Sequence, residues 1–254
     1  DYSHRRFGGK SIAFAETLER ALLLADNGIR VSPRLAQAMR INRDRLKTQN
    51  AGSVPLLLSG EPYAVGETLV QSDLAATLRR LQKYGAADFY RGGIADDIIA
   101  TVRSNTQFPS AMAKADLENY RVAERATVQA KIGNALVYAV PAPASGAAVL
   151  QAIAGTGPYN TPRDNTTLLL SSLAAQKTAF VAREKELEDP DFHSRQKTTA
   201  PHQGGAENTT HVAIADAFGN IVSYTSSVET SLGSALFVRG RGFVLNNQLS
   251  DFNP

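Results

Sequence analysis

Thr209 and Thr210, followed by His211, open a run that alternates in the manner of a strand as far as Ala215. The tract before them, His193 to Asn208, holds Pro201, Gly204 and Gly205 and no large apolar residue. A flexible linker leading into the start of a buried strand suggests chemistry at the junction. The threonine hydroxyl is a weak nucleophile at its ordinary pKa. Cutting the Asn208–Thr209 bond would set a new α-amino group, pKa about 7.7–8.0, a few bonds from that hydroxyl, where it can take the proton. Without such a cut the pair is an ordinary strand start, because β-branched residues favour strands. After the turn Asp216–Asn220 a second run, Ile221 to Ser227, carries further hydroxyls at Thr225 and Ser227. Alternation alone also fits these two as solvent-facing residues.

Other chemistries have less support. His193, His202 and His211 lack the i,i+4 spacing of a helical zinc pair and have no carboxylate cluster beside them. The absence of cysteine removes disulfides, thiol catalysis and cysteine-ligated zinc, and fits an exported bacterial protein. Gly9-Lys10-Ser11 has the ending of a phosphate loop, but His4 stands where its first glycine belongs. The net charge of +3 comes from mixed signs rather than a basic block, which argues against nucleic acid as a partner. No apolar run approaches the ~18 residues of a membrane span. No signal-peptide pattern opens the sequence, so a targeting segment is expected to have been removed or to lie outside it.

Elements that position these residues follow from periodicity. With 43% hydrophobic and 20% charged residues the chain is globular, and its 254 residues suffice for one large or two smaller domains. Phe14, Leu18 and Leu22 predict a helix from Ile12 to Asn27 with Gly28 as its cap, and Ser32-Pro33 starts another. Ser72 is expected to cap a helix ending at Gly85, and Ile94, Ile98 and Val102 mark the next. Residues 126–132 and 135–140 read as a hairpin about Gly133-Asn134. Ser145-Gly146 opens a helix, 164–188 forms a long one, and strands follow at 209–215, 221–227 and 242–245. Helices, hairpin, helices and strands in that order predict a layered α+β protein.

Several stretches resemble the γ-glutamyltranspeptidases, which are N-terminal-nucleophile hydrolases. Thr209-Thr210-His211, the turn from Asp216 to Asn220, Gly233-Ser234, and the segment Gly242 to Phe252 containing Asn246-Asn247-Gln248 and Asp251 carry the C-terminal part of the likeness. Upstream, Ala25-Asp26-Asn27-Gly28, the stretch from Val31 to Ala36, Gly66 to Gln71, Asp88-Phe89-Tyr90, Asp116 to Tyr120 and Asp189 to Phe192 extend it from Gly8 onward. The resemblance implies an αββα sandwich with Thr209 at the first position of a strand. It implies a precursor cleaved between Asn208 and Thr209. Residues 1–208 would be large-subunit-like and end in the linker 193–208. Residues 209–254 would start the small subunit, and the two pieces would form one composite domain.

By the same resemblance Thr209 is the nucleophile and its amine the base, and Ser227 hydrogen-bonds the nucleophile's oxygen. Glu229, Gln248 and Asp251 hold the substrate's α-amino end. An ammonium with three donors needs acceptors, and two carboxylates and an amide oxygen supply them. Read without the family, Glu229 and Asp251 are surface charges and Asn246-Asn247 a turn.

Departures from the family pattern bear on what to expect. Many members carry asparagine at the position of Glu229. The serine- and glycine-rich run survives only as Ala144-Ser145-Gly146-Ala147. No segment carries the arginine that binds the substrate carboxylate, and the serine and glycine pairs of the oxyanion hole do not occur before Pro254. The sequence is therefore expected to be a fragment, or ordered pieces joined together.

The expected activity is transfer or hydrolysis of the γ-glutamyl group of glutathione and related amides, with an acceptor amine or water as second substrate and no metal or organic cofactor. The expected location is periplasmic or secreted. Two alternatives stand beside it: a cephalosporin (glutaryl) acylase-like amidohydrolase, and an uncleaved homologue acting as a binding or structural module.

Overall fold

The computed structural model of the protein describes residues 1–9, 11–50, 54–157, 164–186, 190–191 and 209–248. The chain forms two compact units, one of Asp1–Arg121 with Thr199–Pro254 and one of Val122–Thr198.

The first unit begins with α1 (Tyr2–Phe7), α2 (Phe14–Thr17) and α3 (Glu19–Asn27). The helix expected from Ile12 to Asn27 is thus two helices, meeting at Leu18. Gly28 ends α3 at φ +80, and a side chain there would strike Thr68 and Leu69. After β1 (Ile29–Arg30), α4 (Pro33–Ile41) starts as expected: Ser32 Oγ accepts the Leu35 N–H at 3.1 Å, satisfying one of the free donors of the first turn. Next come α5 (Arg43–Gln49), β2 (Leu57–Leu58), β3 (Glu61–Pro62) and β4 (Thr68–Leu69), with β2 antiparallel to β3 and β1 to β4. Ser72 is the first residue of α6 (Ser72–Tyr84) rather than its cap, which is Gln71. The helices α7 (Ala87–Tyr90), α8 (Gly93–Ser104) and α9 (Lys114–Glu118) complete this segment.

In the second unit β5 (Val128–Ile132) and β6 (Ala135–Ala139) form the expected hairpin, paired from Val128↔Ala139 to Ile132↔Ala135. Then come α10 (Gly146–Gly155) and α11 (Asn165–Glu186). Asp164 caps α11, accepting the Thr167 N–H at 2.9 Å and its hydroxyl at 2.6 Å.

The chain returns to the first unit with β7 (Thr209–Ala215) and β8 (Ile221–Ser227). Helix and strand mix as α+β, and among the described residues every sheet is two-stranded. Gly242 to Leu245, expected as a strand, forms the isolated bridge Phe237↔Val244, flanked by backbone bonds from the Val238 N–H to Phe243 O at 3.0 Å and from the Leu245 N–H to Leu236 O at 2.9 Å. Its side chains serve the core. Phe243 and Leu245 pack on buried Ile94, Ile98 and Val238, while Ala235 and Phe237 join Val31, Ala36, Met39, Leu46 and Leu69. Apolar burial of this kind contributes about 25 cal/mol per Å². It ties the stretch after β8 to helices at the other end of the sequence.

Asp88 is a buried acid in this unit. It accepts from Arg80 Nε at 2.9 Å, from Arg80 Nη2 at 2.8 Å and from the Gly93 N–H at 3.2 Å. The hydrogen bonds from Arg80 hold its carboxyl below the usual range, against the opposing effect of burial. A folded-state pKa below the unfolded value of about 3.9 stabilises the fold above that value. This contribution disappears as pH falls from there through the lowered folded value. Asp88→Ala leaves donors unmatched and is expected to cost roughly 1–3 kcal/mol in urea unfolding at neutral pH. The gap to wild type should narrow on acidification; a gap that is unchanged down to the acid limit would show that the charge is immaterial.

Candidate active site

β7 and β8 pair antiparallel in a register that sets Thr209 opposite Ser227, His211 opposite Thr225 and Ala213 opposite Ser223. Side chains alternate between the faces of a strand, so these residues share one face and Thr210, Val212 and Ile214 lie on the other. Thr209 stands at the first position of β7, and its Oγ1 is 2.9 Å from Ser227 Oγ, where either hydroxyl can donate. Further along the same face His211 Nδ1 lies 2.8 Å from Thr225 Oγ1, and its Nε2 lies 3.2 Å from Ser223 Oγ.

The turn holds the register. Asp216 Oδ1 accepts the N–H groups of Phe218 at 2.9 Å and Asn220 at 2.8 Å, and Oδ2 accepts from Asn220 Nδ2 at 2.7 Å. These bonds, led by that from the Asn220 side chain, keep the Asp216 carboxyl below its ordinary value. A slip of one residue would turn every side chain to the opposite face and part the hydroxyls.

The expectation of a buried strand at Thr209 is not met. β7 is exposed at every residue, and β8 at every residue except Ser227. Burial of a strand is decided by what packs on the faces of its sheet, and among the described residues this two-stranded ribbon leaves both faces open.

Beyond Ser227 the backbone becomes unusual. Glu229, Leu232 and Ala235 have φ of 73°, 62° and 59°. Left-handed backbone at a residue with a side chain costs of order 1–3 kcal/mol, so the surroundings must enforce it. Arg45 Nη2 donates to the carbonyls of Ser231 at 3.0 Å and Gly233 at 2.5 Å. Asn50 donates to the Ala235 carbonyl at 2.7 Å and accepts the Phe237 N–H at 2.8 Å. Asn247 Oδ1 accepts from the Thr230 N–H at 3.2 Å and from its hydroxyl at 3.1 Å. Gly233 passes so close to Leu245 O and the Asn246 backbone that any side chain would collide.

This bracing buries the Glu229 side chain and sets its Oε2 2.8 Å from Asn247 Nδ2. Gln248 follows immediately, its N–H donating to Asn246 Oδ1 at 2.9 Å. The structure thus brings Thr209 to Ser227, and Glu229 to the residue next to Gln248. Asn208 and Asp251 lie outside the described residues. Asn247, readable from sequence as a turn residue, is the partner of Glu229; its place in the run Asn246-Asn247-Gln248 was the only available signal. Arg45 and Asn50 carried none, since their partners lie some 185 residues away.

Thr209 thus heads a strand of an α+β protein and is hydrogen-bonded to a second hydroxyl on the neighbouring strand. The family model described as gamma-glutamyltranspeptidase matches residues 1–203 and 193–254, so the chain belongs to the γ-glutamyltranspeptidase family. It is 30% identical over 271 residues to the capsule biosynthesis protein CapD proenzyme of Bacillus anthracis, covering 99% of this chain and 49% of that protein. To the glutathione hydrolase proenzyme of Pseudomonas sp. (strain A14) it is 27% identical over 286 residues, covering 99% of this chain and 48% of that one. The crystal structure of cephalosporin acylase from Bacillus halodurans superposes with a TM-score of 0.80 at 25% identity, covering 98% of this chain and 50% of that one. The chain spans about half the length of the curated relatives it matches. Among the described residues no helix is long and apolar enough to cross a membrane.

Proposed function

We propose that this chain belongs to an enzyme that transfers or hydrolyses the γ-glutamyl group of glutathione and related amides, with Thr209 as nucleophile. The observation that carries this reading is the 2.9 Å approach of Thr209 Oγ1 and Ser227 Oγ at the head of the hairpin. In the maturation step Thr209 Oγ attacks the Asn208 carbonyl and the C–N bond breaks, leaving an ester. The Thr209 amine is released as that bond breaks, and water then opens the ester, freeing the Asn208 carboxylate and the Thr209 hydroxyl. In turnover that amine takes the hydroxyl proton as Oγ attacks the γ-carbonyl, and passes it to the departing amine. A γ-glutamyl ester remains on Thr209. Water or an acceptor amine resolves it and restores the hydroxyl. Ser227 orients the nucleophile, while Glu229, Gln248 and Asp251 receive the donor's ammonium. The two pieces stay together as a heterodimer, and the protein works in the periplasm or outside the cell. No step calls for a metal or an organic cofactor.

Intact mass of the purified full-length protein tests the reading. Two species divided at Asn208–Thr209 are expected, and a single uncut chain without turnover would favour the binding-module alternative. The similarity to cephalosporin acylase supports a second reading, in which a glutaryl amide takes the place of the γ-glutamyl donor. Rates on γ-glutamyl-p-nitroanilide and on glutaryl-p-nitroanilide separate the two.

A further inference from the structure

Three residues with side chains, Glu229, Leu232 and Ala235, hold left-handed backbone within the loop that follows β8. Each would by itself prefer negative φ, so the loop's shape must be imposed from outside. Arg45 on α5 reaches the middle of this loop. Its Nη2 donates to the Ser231 and Gly233 carbonyls, which flank left-handed Leu232. A charged donor strengthens both bonds, and the partial burial of the pair keeps water from replacing them.

Glu229 leaves the same loop at its N-terminal end, buried against Asn247, and Thr230 meets Asn247 through both its N–H and its hydroxyl. We infer that Arg45 is a positioning residue for substrate binding. It locks residues 229–235 in the form that holds the Glu229 carboxylate against Asn247, and thereby sets donor affinity without touching substrate or nucleophile. The inference rests on the reading of Glu229 as an acceptor for the donor's ammonium.

Arg45→Gln and Arg45→Lys in the full-length protein test it, with Arg43→Gln as a control on the same helix. Arg43 pairs with Glu61 at the surface and makes no bond to the loop. Arg45→Gln is expected to raise KM for γ-glutamyl-p-nitroanilide about tenfold or more while kcat stays within about twofold, because only binding geometry is lost. Lysine, which keeps a charged donor, should restore part of the affinity. Arg43→Gln should match wild type, and cleavage before Thr209 should proceed in all three. An unchanged KM overturns the inference. So does a parallel fall in kcat, cleavage and melting temperature, which would mark Arg45 as a general structural residue.

Amide hydrogen exchange gives a readout that needs no turnover. Arg45→Gln should speed exchange at 229–235 and leave β7 and β8 as in wild type. Unchanged exchange in the loop overturns the positioning role even where KM is raised. Wild-type protein that neither cuts nor turns over γ-glutamyl amides would instead defeat the functional reading, and faster loop exchange in Arg45→Gln would still establish the brace.

Discussion

Thr209→Ala is expected to leave the protein as one uncut chain and to lower γ-glutamyl turnover by roughly 10⁴-fold or more, the scale on which removal of a nucleophile acts. On the proposed mechanism both losses have one origin. The hydroxyl that would attack the Asn208 carbonyl in maturation is the one that would attack the substrate afterwards, and the amine proposed as base would exist only after the cut. Thr209→Ser keeps the hydroxyl and should still cleave, more slowly, because serine lacks the methyl group that narrows its rotamers. A denaturing gel with intact mass reads cleavage, and p-nitroaniline release reads turnover. Equal cleavage in the alanine variant would point to a contaminating protease and sink the assignment. Ser227→Ala removes the hydroxyl 2.9 Å from the nucleophile but leaves the backbone pairing, so its effect should be the smaller one.

The second large effect is expected at the proposed ammonium site. Glu229→Gln and Asp251→Asn keep shape and remove charge. A hydrogen bond to a charged group is worth about 1.5–3 kcal/mol, so each change should lower kcat/KM for γ-glutamyl donors by roughly ten- to a hundredfold. A glutaryl donor has no amine to hold, and its rate should be unchanged or higher. The contrast separates a specific contact from general damage, because unfolding lowers both rates together. At Glu229 the new amide can still accept from Asn247 Nδ2, which now sits 2.8 Å from the carboxylate, so the loop should keep its form. If Asp251→Asn leaves γ-glutamyl turnover intact in correctly cleaved protein, that residue is a surface or turn carboxylate and the amine contact belongs to Glu229. If both variants are silent, the ammonium site lies elsewhere.

Local order was legible where a short stretch of chain contains its own cause. Ser32-Pro33 started α4 because the cap and the N–H that donates to it lie three residues apart. Gly28 and Gly85 ended helices because their backbones take positive φ. Both hairpins were visible because alternation and a turn residue sufficed. The contact between Thr209 and Ser227 belongs partly to this group: the two meet through the register of one hairpin, set by Asp216 at its turn. Their roles, and those of Glu229, Gln248 and Asp251, came from family resemblance rather than from spacing.

Errors fell where partners are distant or packing outweighs local preference. Periodicity across Leu18 did not show the break between α2 and α3, since two short helices offer the same apolar spacing. The β-rich run Gly242 to Leu245 pairs through one bridge, Phe237↔Val244, opposite a stretch that Ala235 at φ 59° keeps from extending. Alternation at Thr209 was consistent with a strand, but whether another layer covers it is no property of the strand.

By itself, then, the sequence determined most of the helical and extended segments, the turn that joins β7 to β8, and the residue types available for acyl transfer. Only the tertiary structure decided which partners complete the site. Arg45 and Asn50 reach Gly233 and Ala235 across some 185 residues, and Asn247 reaches Glu229 across 18. No local pattern encodes such bonds, because they form only after burial of apolar side chains from both ends of the chain has brought α5 and the loop after β8 together.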